Sequence, residues 1–171
     1  MEIRELYSKI QNFASIASNL SIEDVVIENQ RKPRDIKPYI SFYLGNFRLV
    51  SQPIIRELDT NGMQTIVTPT VCTVNFKAVS DELLEAEFLL HSLRNAFNTE
   101  LQNSIFNGEL ALHRVLKTVS AIPTVVDEQI ESRAILALEL SFNVTIEDNV
   151  GLIEHLHLTD VRLNKEYIIN K

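Results

Sequence analysis

Cysteine, glycine and long apolar runs are scarce in this 171-residue chain, and each scarcity excludes something. One cysteine, Cys72, cannot close an internal disulfide, so the chain is not a secreted module built on a disulfide framework. With four glycines there is no phosphate-cradling loop and no dinucleotide fingerprint. No stretch reaches the roughly 18 apolar residues that a membrane span needs. The start, Met1-Glu2-Ile3-Arg4-Glu5, lacks the basic opening and apolar run of a signal peptide. A reducing cytoplasm is the expected compartment of synthesis. Cations are also in deficit, 16 against 23 acids, and a net charge of −7 argues against a general nucleic-acid binder. What remains is ordinary: 45% hydrophobic and 23% charged residues describe a globular protein of about one domain. A chain of this size buries about 70% of the surface its unfolded form exposes, enough for a real core.

The charge is unevenly spread. Arg31, Lys32, Arg34 and Lys37 hold four of the sixteen cations within seven residues, against Asp35 alone. Asp127, Glu128, Glu131, Glu139, Glu147, Asp148 and Glu154 lie in a stretch whose one cation is Arg133. Solvated surface explains such asymmetry. So does a face that meets a partner beside another that faces a polyanion without holding it.

Hydrophobic spacing predicts the elements. Ile3, Leu6, Tyr7, Ile10, Phe13, Ala14 and Ala17 fall on one helical face, with Asn19 and Ser21 ending the helix. Val25-Val26-Ile27 reads as a short β-branched strand. Pro33 and Pro38 bracket the basic loop; strands are then expected at 39–44 and 47–58. Asp59-Thr60-Asn61-Gly62 is a turn, and the alternation across 64–79 completes a long β-hairpin over 47–79, part of it expected to protrude. Pro69 marks either an edge position or a break between two strands. Ser80 and Asp81 are placed to cap a second helix carrying Leu83, Leu84, Leu90, Leu93 and Phe97, followed by a short helix over 100–106 that stops at Asn107-Gly108. A strand follows over 110–119. Leu136, Leu138, Leu140, Phe142, Val144 and Ile146 take every second position, which requires one buried and one wet face. After a turn at 148–151 a strand is expected over 152–158. The organisation expected is one α+β domain over residues 1–158, a mostly antiparallel sheet packed by two main helices in two layers, with a C-terminal tail over 159–171 that needs a docking surface.

No catalytic constellation emerges. His155 and His157 share one face of a strand, a spacing from which two nitrogens could hold a metal, but no further ligands stand at a linked spacing. They read as an exposed pair, and no metal or cofactor is expected. Cys72 lies inside an alternating strand and reads as a small buried hydrophobe, not a nucleophile. Glu147-Asp148 at a strand end reads as a solvated turn pair without acid/base work. Arg133 carries two readings: a surface ion pair worth under about 1 kcal/mol, or a salt bridge between subunits, for which arginine's planar fork is suited.

Taken together, the chain resembles the neck or tail-terminator proteins of tailed bacteriophages. The resemblance lies in the N-terminal helix leading through Pro33 and Pro38 to Tyr39-Ile40-Ser41-Phe42, and in the turn Leu93-Arg94-Asn95-Ala96-Phe97 after a long hairpin. Its most specific part is the run from Glu131 to Leu138, followed by Phe142, Asp148, Gly151, Ile153 and Glu154. The resemblance implies a non-enzymatic virion subunit, assembled in the host cytoplasm and arranged six to a ring. The ring would cap the tail tube and join it to the head connector, touching the sheath where the tail has one. Genomic DNA would pass through the lumen without specific binding. Candidate interface residues are then Arg31, Lys32, Arg34, Lys37, Glu131, Arg133, Asp148 and Glu154. Other virion parts with the same sheet-forming habits, such as a head-completion or tail-tube subunit, are the nearest alternative. A soluble small-molecule-binding α+β domain is the more distant one.

Overall fold

The computed structural model describes residues 3–28, 37–55, 62–82, 84–122, 124–126, 129–149, 155–160 and 165–170. The first helix, α1 (Ile3–Ser18), buries Leu6, Ile10, Phe13 and Ala14, the face its spacing predicts. Asn19 stops it in a left-handed conformation (φ 54°), which a short polar side chain tolerates. A 3₁₀ turn, Ile22–Asp24, is capped by the Ser21 hydroxyl and leads into β1 (Val25–Ile27). Gln11 of α1 donates to the carbonyls of Ile22 (3.2 Å) and Val25 (2.6 Å), tying helix to strand.

Where two extended segments were expected there is one strand, β2 (Tyr39–Leu49), whose register on its partner shifts between Gly45 and Arg48. The shift absorbs Asn46, at φ 51°, as a bulge. A two-residue strand, β3 (Ile54–Ile55), follows, and β4 (Met63–Ser80) pairs with both. Pro69 therefore interrupts nothing. It lies between the positions of β4 that pair with β2 and with β3, and its carbonyl accepts from the Val50 amide at 3.0 Å. The hairpin read over 47–79 is in fact built from Tyr39 onward.

The second helix, α2 (Glu85–Ala96), starts later than expected and has no side-chain cap; Leu84 precedes it in the left-handed region (φ 68°). Ser80 instead accepts from the Glu82 amide (3.1 Å) and donates to the Glu85 carboxylate, holding the approach to the helix. The third helix, α3 (Glu100–Phe106), has the bounds its sequence predicts, with Thr99 as cap and Asn107 and Gly108 both at positive φ at its end.

The remaining strands are β5 (Leu110–Ala121), β6 (Thr124–Val126), β7 (Gln129–Asn149), β8 (His155–Asp160) and β9 (Lys165–Asn170). The main sheet runs β1-β2-β4-β7-β5, with β3 beside β4 and β6 beside β7. The β1–β2 pair is parallel; β2–β4, β3–β4, β5–β7 and β6–β7 are antiparallel. This is the expected α+β class, with two main helices and the short third helix also expected.

Two compact units divide the chain. One holds residues 1–52 and 68–144, the other residues 53–67 and 145–171. In the second unit, residues expected to form a tail in need of a docking surface make β9, which pairs antiparallel with β8.

The core belongs to the first unit. Phe13 stands 4.4 Å from Phe97 and 4.9 Å from Phe106, ring centre to ring centre, and Phe42 stands 5.8 Å from Phe76. Leu136, Leu138, Leu140 and Phe142 of β7 are buried in this cluster, and Val144 is half-buried against it. The alternation fails at its end, since Ile146 is 54% exposed. It also fails on the face expected to be wet. Glu139, between Leu138 and Leu140, is 3% exposed.

Candidate subunit interface

Three of the candidate residues meet in one place, and the sheet explains why. Tyr39 opposes Val79, so Lys37 before β2 and Asp81 after β4 converge. The Lys37 ammonium lies 2.8 Å from Asp81 and 2.5 Å from Glu131 on β7. Arg133 donates to the same Glu131 through Nε (2.8 Å) and Nη2 (2.5 Å). The carboxylates of Asp81 and Glu131 hold Lys37 above its ordinary value, and Lys37 and Arg133 hold Glu131 below the usual carboxylate range. Two acids thus balance two cations at a corner formed by three strands. Asp81 is the member that sequence spacing missed, because only the β2–β4 register brings it there.

Asp148 is exposed near the end of β7, within the second unit. Arg31, Lys32, Arg34 and Glu154 lie outside the described residues.

A second charge cluster was not legible at all. On the sheet face away from the helical core, Glu139 of β7 accepts from Arg48 of β2 (Nη2 at 3.0 Å to both carboxylate oxygens) and from Arg114 of β5 (Nε at 2.7 Å). His113 Nε2 lies 3.8 Å away. Burial alone would raise this carboxyl, yet the Arg48 and Arg114 guanidiniums override it and hold it below the usual range. Register accounts for the meeting. The bulge in β2 turns Arg48 onto the face of its partner Val71, and a shift in β5 places Arg114 opposite Glu139.

The same face carries Lys77 of β4 and Lys117 of β5. With Glu28, Tyr43, Asn75, Ile135 and Ala137 they line an open groove of about 200 Å³. Arg48, Lys77, Arg114 and Lys117 outnumber Glu28 and Glu139 there, so this face is net cationic in a chain whose net charge is −7.

Among the described residues, reactive groups are not brought together. Cys72 is wholly buried, and burial, aided by the negative charge of Glu139, pushes its thiol up to about 12. A thiol so held stays protonated and is a poor nucleophile at neutral pH. Among the described residues no group of three or more His, Cys, Asp or Glu side chains could hold a metal. His155 and His157 lie on β8 opposite Asn170 and Ile168. Elemental analysis of the purified protein is expected to find no stoichiometric zinc. A one-to-one content surviving dialysis would contradict this.

Among the described residues of the first unit, then, the thiol is buried and two groups of charged side chains are paired in ion clusters. Residues 4–165, nearly the whole chain, match the phage neck terminator protein family. The chain belongs to that family. A comparison with curated proteins finds no match. A neck terminator protein is a structural part of the phage neck, so this chain is a virion component. No helix among the described residues is long and apolar enough to cross a membrane.

Proposed function

We propose that this neck terminator protein forms a homo-hexameric ring that caps the tail tube and joins it to the head connector. The observation that carries the reading is the family match along residues 4–165. Such a subunit acts through its surfaces, and those found here suit the task. Residues 1–158 serve as the working module, with 159–171 as an appendage.

Ring closure needs a heterologous contact, in which one surface of a subunit meets a different surface of the next. Strand addition at the sheet edges is a poor candidate. Edge strand β1 has three residues, and β5 carries three register irregularities together with Arg114 and Lys117, features that discourage edge pairing. Contact through faces and loops is favoured instead. The corner of Lys37, Asp81, Glu131 and Arg133, with Arg31, Lys32 and Arg34 shortly before it in the sequence, is assigned to partner docking. In the second unit, Ile54 and Ile55 are 56% and 63% exposed on a two-residue strand, apolar surface suited to a neighbouring tube or connector subunit. Asp148 and Glu154 are assigned to a surface that repels DNA sliding through the lumen.

The experiment is genetic. Phage lacking this chain are expected to make filled heads and separate tails, many of abnormal length, visible by electron microscopy. Joined particles of normal appearance in its absence would overturn the reading.

A further inference from the structure

We infer that the cationic groove on the open sheet face receives the N-terminal end of α2 from a second copy of this chain, and that this contact propagates the ring. The inference rests on the ring reading above and names its interface.

The exposed strip of α2 is unusual for a surface helix. Phe88 is 67% exposed and Leu84, one turn earlier, is 48% exposed, so a large aromatic and an aliphatic side chain stand together on the outside. The opposite strip of the same helix, Ala86, Leu90 and Leu93, is buried in the core, so Phe88 points away from the sheet. Glu82 and Glu87 flank the exposed pair, the first exposed and the second half-buried. The result is an apolar knob with an acidic border.

The groove has the complementary character. Tyr43, Ile135 and Ala137 give it apolar surface, while Lys77 and Lys117 outweigh the one acid of its lining, Glu28. The Arg48–Glu139–Arg114 cluster adds to that sign, since two guanidiniums share one carboxylate. An aromatic anchor in a desolvated groove, ringed by opposite charges, is the usual composition of an energetic centre in a protein interface. The border charges would set orientation and speed encounter more than they add affinity.

Position decides the occupant. Knob and groove belong to the same compact unit but lie on opposite sides of its sheet, so a subunit cannot fill its own groove. A second copy can, and because the two surfaces differ, each copy keeps one of each free. Repetition then yields a closed ring or an open chain, according to the rotation.

Two variants separate these surfaces. Phe88→Asp spoils the knob and leaves the groove; Lys77→Glu with Lys117→Glu spoils the groove and leaves the knob. Each alters exposed or half-buried side chains, and unchanged thermal unfolding would verify folding, with Phe88→Ala as the milder alternative. ¹⁵N-labelled Phe88→Asp protein is titrated with unlabelled double-lysine variant to about 1 mM, the weak end of specific association. Amide shifts are expected at Tyr43, Lys77, Lys117, Ile135 and Ala137, weakening as salt rises. None is expected when unlabelled Phe88→Asp protein is added instead. Absence of shifts in the mixed pair, or equal shifts in both titrations, overturns the contact. So does duplex DNA shifting these resonances while the second copy does not. Phage carrying Phe88→Asp are expected to fail at head–tail joining. If deletion of the chain separates heads from tails but Phe88→Asp phage join normally, the contact is wrong and the ring reading stands. If deletion particles are joined, the ring reading falls, and the titration alone decides the contact.

Discussion

Phe13→Ala is expected to lower the stability of the first unit by about 3–5 kcal/mol, the range for truncating a buried aromatic. Phe13 is wholly buried and lies within 5 Å of two other rings, Phe97 after α2 and Phe106 in α3. It is where the three helices meet above the sheet, so its loss removes contacts on three sides. The small residues nearby, Ala14 and Ala96, offer no side chain long enough to collapse into the space. Leu138→Ala on β7 should lose about 2–5 kcal/mol for the same reason, acting from the sheet side. Ile146→Ala, which removes an exposed side chain of the same strand, should stay within about 0.5 kcal/mol. Thermal unfolding would show the difference, since about 3–5 kcal/mol corresponds to roughly 6–20 °C in a chain of this size. Equal effects of Leu138→Ala and Ile146→Ala would mean that β7 does not present one buried face.

Elements governed by local pattern were legible from the residues alone. The first helix, the strand over 25–27, the short third helix with its Asn-Gly stop, and the alternation of β7 all depend on neighbours within a few positions. The failures share one cause, a dependence on distant residues. A bulge at Asn46 lets one strand span what the sequence divides in two, because β4 supplies a continuous partner. Ser80 was legible as a polar residue before a helix, but its geometry caps the preceding turn, and α2 begins only after Leu84 adopts positive φ. Residues 165–170 look like a tail until β8 is beside them. The candidate site divides the same way. Lys37, Glu131 and Arg133 were identifiable as charges of interest, while Asp81 joins them only through strand register.

Family membership and surface chemistry then bear on different questions. The match along residues 4–165 places the chain in the phage neck. It does not say which faces touch. The ion clusters are each internally paired, so a partner would meet them as preformed surfaces without replacing their members. At the corner, Lys37 and Arg133 both hold Glu131, and a partner would meet the assembled group. Lys77 and Lys117 stand beside apolar groove surface, where a partner's acids can add to the existing structure without breaking it.

Glu139 is where sequence reasoning erred most, and it gives the last expected result. Period two assigned it to water; the fold buries it beneath Arg48 and Arg114, contributed by residues 91 and 25 positions earlier in the chain. Glu139→Ala is expected to cost about 2 kcal/mol, since hydrogen bonds to charged groups contribute about 1.5–3 kcal/mol. The figure stays below that for a fully buried pair because both guanidiniums are about half exposed, at 49% and 57%, and water can solvate them once the carboxylate is gone. The pH dependence follows from the direction of the shift. A carboxyl held below its ordinary value binds protons less readily folded than unfolded. Its contribution is therefore complete above the ordinary glutamate value of about 4.3, and is lost as pH falls through that value toward the lower folded one. Glu131, shifted in the same direction, adds to the trend. Between pH 6 and pH 3 the wild-type protein should lose more stability than Glu139→Gln, whose amide does not titrate. Parallel pH profiles for the two proteins would show that the Arg48–Glu139–Arg114 cluster does not stabilise the sheet through its charge.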